Sequence, residues 1–132
     1  MRIQSKGWKL LDVQVIPHAD QAYETPGDWE FDTAGCLQVR VSLMSPDYVF
    51  LIAIHEAIEA WLCRHHGVSE TEVTAFDKAF EAAREAGNTD EPGDDPSAPY
   101  RREHFFATSI ERLIATELGV DWNTYCKAAE PV

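Results

Sequence analysis

His55, Glu56 and Glu59 lie within the stretch FLIAIHEAIEAWLC, residues 50–63, whose other eleven side chains are apolar. His55 and Glu59 are four residues apart, so on a helix they stack on one face and could chelate a single cation. Glu56 projects about 100° away on the same helix and leans over the same place. A carboxylate there could act as a general base toward a water molecule. A helix apolar around its whole circumference belongs in an interior. Burying three ionisable side chains in it costs several kcal/mol unless each is paired, protonated or bound to a metal.

A further ligand must come from elsewhere in the chain. His104 and Glu111, in RREHFFATSIERLIATEL (101–118), are seven residues apart on one helical face, with the small Ala107 and Thr108 between them. If that face packs against the helix carrying His55, either side chain could complete a site. The candidate metal ligands are therefore His55, Glu59, His104 and Glu111, with Glu56 as the catalytic base. His65, ten residues after His55, is a further candidate ligand. For His65 and His66 the competing role is to complement the dipole at a helix C-terminus. A bland reading of the whole cluster also stands: a buried ion pair with Arg102 or Arg112 as counter-charge.

The elements that must position these residues can be read from periodicity. The first third (1–44) is β-rich. WKLLDVQVI (8–16) favours a strand, DWEFD (28–32) alternates, and CLQVRVSL (36–43) alternates again, with Leu37, Val39 and Val41 on one face. The pattern predicts a hairpin and a small antiparallel sheet. Ser45-Pro46-Asp47 opens a helix over 46–66 that stops at Gly67. Ser69 and Glu72 form a capping box for a helix over 70–86 that ends at Gly87. Residues 88–99 (NTDEPGDDPSAP), rich in Pro and acidic side chains, read as an exposed acidic loop. Helices follow over 100–128, the first with Phe105, Phe106, Ile110, Leu113, Ile114 and Leu118 on its core side and the second short and capped by Asp121. Asp77, next to the apolar face of the 70–86 helix, reads as a structural salt-bridge partner of Arg84 or of an arginine at 101–102. The fold class is α+β: one domain over 1–132, with a small antiparallel sheet packed on a three-helix core and a short C-terminal helix.

The motif in this setting carries a resemblance. HEAIE, in an apolar helix after an alternating strand and a short turn, resembles the HExxH signature of zincin metallopeptidases. There two histidines bind zinc and the intervening glutamate activates water. The chain is also similar to small phage or prophage proteins that carry an HExxH-like helix. The resemblance covers residues 36–66 and implies His55 as ligand, Glu56 as base and Glu59 as a substitute for the second histidine. Zinc is the first metal it suggests, and the extra carboxylate moves preference toward manganese or iron. His65 stands where the metzincin pattern HExxHxxGxxH has its last histidine, but Leu62 replaces that pattern's glycine.

Composition narrows the function classes. With 23 acidic against 11 basic residues the chain carries −12, so nucleic acid and anionic membranes are disfavoured partners. Three cysteines with no CxxC pair fit free thiols in a reducing cytoplasm. The first seventeen residues hold no uninterrupted apolar run of the signal-peptide kind. No P-loop, GxGxxG or GxSxG element occurs. Two expectations follow. One is a metal-dependent hydrolase, in which metal-activated water attacks a peptide or other small substrate bond. The other is a non-enzymatic acidic, phage-type protein that binds a basic protein partner, its His/Glu cluster being structural.

Overall fold

The alternating segments become three strands, β1 (Leu11–Ile16), β2 (Gly27–Phe31) and β3 (Leu37–Ser42), in the computed structural model, which describes residues 6–131. Four helices follow: α1 (Pro46–His65), α2 (Glu70–Ala82), α3 (Arg101–Glu117) and α4 (Trp122–Ala128). The α+β class expected from periodicity is the one observed. Leu37, Val39 and Val41 are buried under α1 at 2%, 1% and 0% exposure, as strict alternation requires of a half-buried strand. β2 and β3 form the expected antiparallel pair, with Asp28 opposite Arg40. The Arg40 guanidinium donates to Asp28 and to Glu30 at 2.9 Å each.

The sheet as a whole is mixed rather than antiparallel. Its order is β1-β3-β2, and β1 runs parallel to β3 with Leu11 beside Leu37 and Val15 beside Val41. The connection over 17–26 explains this. It crosses the end of β3, where His18 Nδ1 meets Ser42 Oγ at 2.8 Å and the Gln21 amide donates to the Arg40 carbonyl at 3.3 Å. The chain thus arrives on the far side of β3, and β2 takes that edge.

α1 begins with Pro46 in its first turn, where no amide hydrogen is needed. It ends at Gly67, whose φ of 77° lets the Val68 amide return to the Cys63 carbonyl at 2.9 Å. The capping box of Ser69 and Glu72 starts α2. That helix stops at Ala82, short of the expected 86. Beyond it, the Arg84 guanidinium donates to the carbonyls of Asn88 and Asp90 at 2.6 and 2.8 Å. Those bonds hold the chain in a return path that helix would forbid.

α3 corrects the largest expectation. The face it buries against α1 is Glu103, His104, Ala107, Glu111 and Ala115. Phe105, Phe106, Leu113 and Leu118, expected inside, are 42%, 53%, 65% and 41% exposed. Ala107 and Ala115, at 0% and 1% exposure, let the helix approach α1 closely, and the polar groups between the helices satisfy one another. α4 is capped by Asp121, whose carboxylate accepts from the Thr124 amide at 3.0 Å, and it buries Tyr125 against Tyr48. Cys36 and Cys63 are buried and Cys126 is exposed, all as free thiols. Among the described residues, no helix is long and apolar enough to cross a membrane.

Candidate metal centre

α1 and α3 face each other across a single carboxylate. Glu59 Oε2 lies 3.0 Å from His55 Nε2, one turn earlier on α1, and 3.1 Å from His104 Nδ1 on α3. Its other oxygen accepts from the Trp29 indole N–H of β2 at 3.2 Å. One donor atom from each of His55, Glu59 and His104 falls within 4.8 Å of the others, and all three residues are buried. Tetrahedral ligands at metal–ligand distances of about 2.0–2.2 Å stand roughly 3.3 Å apart, close to the two Glu59–imidazole separations, so the group is positioned to hold a metal ion.

The far nitrogen of each imidazole is held by carboxylates. His55 Nδ1 hydrogen-bonds Glu111 Oε1 at 2.8 Å, and Glu111 in turn accepts from the Tyr125 hydroxyl. His104 Nε2 hydrogen-bonds Asp94 at 3.1 Å and Glu91 at 3.2 Å. Metal-binding histidines are oriented in this way, with the second nitrogen fixed by an outer carboxylate. Glu111 therefore sits behind His55 as its orienting partner, not among the three converging donors. Gly93 presses on the other ring: a Cβ there would lie 2.4 Å from His104 Cγ, so only glycine lets the 91–94 turn close over the imidazole.

The electrostatics follow from this packing. Burial alone would lower the pKa of His55, but its bonds to Glu111 and Glu59 outweigh burial and raise it well above the usual value. Burial likewise works against the charged form of His104, and the bonds to Asp94, Glu59 and Glu91 carry its pKa up to about 12. For Glu59, burial opposes the charge, yet the bonds from His104 and His55 bring its pKa down to about 2. Both shifts favour the charged form of the two imidazoles beside one buried carboxylate. A divalent ion would replace their two inward protons charge for charge.

Glu56 makes no hydrogen bond or ion pair among the described residues. Burial, reinforced by the neighbouring Glu59 charge, pushes its carboxyl well above the usual range. Its side chain rests against Gly27 of β2, where a Cβ would lie 2.8 Å from Glu56 Cγ. It opens with Trp29, His55, Glu59 and His104 onto one cavity of about 300 Å³.

Several members of the site escaped the sequence. Asp77 was expected to pair with an arginine, but Arg84 turns to Glu81 at 2.7 and 2.8 Å. Asp77 instead accepts from the hydroxyls of Tyr23 and Tyr100 on the cavity wall. Burial raises its pKa to about 7, against the opposing effect of those two bonds. Glu91 and Asp94 are exposed, as expected of the acidic loop, yet both also reach His104. The one sequence signal for Trp29 and Tyr125 was general: a buried indole or phenol needs an acceptor. His65 is exposed at the end of α1, outside the cluster, and His66 pairs with Glu103 at 2.7 Å. Neither Arg102 nor Arg112 serves the cluster: Arg102 is exposed and Arg112 lies over the Trp122 ring. Comparison of the chain with protein-family models, with curated proteins and with solved structures finds no match.

Proposed function

We propose that this chain is a divalent-metal-dependent hydrolase whose ion is held by His55 Nε2, His104 Nδ1 and one oxygen of Glu59, with Glu56 as the general base. The observation that carries this reading is the convergence of three buried donors, each with its remaining polar atom already partnered. Two histidines and a glutamate are the protein ligand set of thermolysin-type catalytic zinc sites, which leave one position open. In this chain the glutamate occupies the motif position usually taken by histidine, and His104 supplies the second imidazole from α3. The ligand set is thus permuted rather than lost, and zinc remains the first candidate, with manganese or iron next.

Such an ion would polarise a substrate carbonyl and make a nearby water more acidic. Glu56, unpartnered and less acidic than a free carboxyl, accepts the proton from that water and passes it to the leaving group. Trp29 fixes Glu59, while Glu111, Asp94 and Glu91 fix the two rings. The cavity wall adds Asp28 and Asp77, and its arginine, Arg84, is engaged with Glu81. Substrates with a neutral or cationic group beside the scissile bond suit it better than anions.

Elemental analysis and zinc or manganese titration, followed by assay on a fluorogenic peptide panel, test the reading. Wild-type protein should bind one ion, His104→Ala should lose it, and Glu56→Gln should keep the ion while losing hydrolysis by about 100-fold or more. Absence of stoichiometric metal in wild-type protein sinks the proposal.

A further inference from the structure

Leu11, Val13 and Val15 of β1 stand beside Leu37, Val39 and Val41 of β3 in parallel register. They therefore point to the same face of the sheet, the face on which α1 lies. α1 covers β3 and β2 but stops short of β1. The three β3 residues are 2%, 1% and 0% exposed, and their β1 neighbours 41%, 40% and 47%. The flank of α1 beside them is equally bare. Ala57, Ile58 and Trp61 form with Leu10 and Leu11 an apolar groove, and Trp61 is 41% and Leu10 48% exposed. A helix apolar on every side requires cover on every side, and among the described residues α1 has it only in part.

We propose that a second copy of this chain provides that cover, in a twofold-symmetric dimer joined through β1. β1 is an edge strand, so half of its backbone donors and acceptors face outward and are open to another strand. Antiparallel pairing of two β1 strands centred on Val13 puts Leu11 opposite Val15 of the second copy and Val13 opposite its own counterpart. The apolar side chains of both copies then share one face. Asp12 falls opposite Gln14 on the other face, so no like charges meet. The surface is self-complementary, as a twofold interface must be.

Area and charge favour a copy of the chain as the occupant. Given typical side-chain areas, the exposed fractions of Leu10, Leu11, Val13, Val15 and Trp61 come to roughly 400 Å² per copy. Two copies would bury about 800 Å² of side chain, to which strand pairing adds backbone, an area of the small-interface class. Residues 6–16 carry Lys6, Lys9 and Asp12, one net positive charge in a chain of −12. Two copies can therefore approach here without setting acid against acid, as they would over the rest of the surface. A basic partner finds nothing acidic on this face to hold it.

Sedimentation equilibrium of the full chain, from micromolar to near-millimolar concentration, tests the proposal. Wild type should be a dimer. The double variant Val13→Lys, Val15→Lys should weaken association by on the order of a hundredfold, with far-UV circular dichroism and zinc stoichiometry unchanged. Phe106→Lys, on the exposed side of α3, should leave the dimer intact. A monomeric wild type overturns the proposal, and so does a dimer that persists in the double variant or dissolves equally in Phe106→Lys. Should the double variant fail to fold, Val13→Cys in a Cys126→Ser background decides. Oxidation should give a disulfide-linked dimer, because facing Val13 positions lie within disulfide reach in that register. Failure to cross-link overturns the proposal.

Discussion

Glu59 receives two imidazoles and an indole N–H on one carboxylate, so its two oxygens do different work. Oε1 is spent on Trp29 and fixes the side chain, while Oε2 faces the histidines. Asp77, which also lines the cavity, is a carboxyl of the other kind, buried against two tyrosine hydroxyls with no cation bonded to it among the described residues. Its folded pKa is raised to about 7 from 3.8, so the folded state holds its proton more tightly than the unfolded chain does. The stability this contributes is fully present below the unfolded value and is lost as pH rises through the folded one. In metal-free protein, the stability difference between wild type and Asp77→Asn should therefore change in favour of the variant from about pH 4 to about pH 7, then level off. Urea denaturation across that range measures it. A pH-independent difference would contradict the assignment.

At the scale of elements, the contact between α1 and α3 sets the site. α3 turns its small and ionisable side chains inward and leaves its phenylalanines outside, because Ala107 and Ala115 allow the close approach that the His104–Glu59 bond needs. Enlarging that seam should push the helices apart. Ala107→Leu is expected to cost about 1–3 kcal/mol by overpacking and to weaken zinc binding, since His104 and Glu111 move with the helix. The neighbouring change Phe106→Leu, on the exposed side, should alter stability by less than about 0.5 kcal/mol. Thermal denaturation and zinc titration of the pair separate the two. The turn over Pro92–Asp94 belongs to the same device, for it sets Glu91 and Asp94 on His104.

Across the whole molecule, the centre packs two imidazoles with raised pKa values around the single buried carboxylate of Glu59, a costly arrangement that an ion in the proposed site would relieve. Metal should therefore stabilise the fold as a whole. At a free zinc concentration a thousandfold above the dissociation constant, the gain should be about 4 kcal/mol, and a chelator should reverse it. Since binding must expel the inward protons of His55 and His104, both with raised pKa values, affinity should fall as pH falls. Scanning calorimetry with and without zinc at two pH values reads both effects. An unchanged melting temperature would remove the metal from the account of stability.

Much of this was legible in order and spacing. The His55–Glu59 stack, the placement of Glu56, the β2–β3 pair, the start of α1 and the capping box of α2 all follow from local rules of period and termini, which need no distant partner. His104 was legible as a candidate because its face of α3 carries small residues. Three things required distant segments to meet: the parallel placement of β1, which depends on where residues 17–26 cross β3; the inward polar face of α3, which reverses the usual preference because its ionisable groups satisfy one another across α1; and the separation of Glu111 from His104, one behind the His55 ring and one beside Glu59. A helical period shows which side chains share a face. Which of those faces is buried, and which nitrogen of a ring points inward, depends on the element packed opposite.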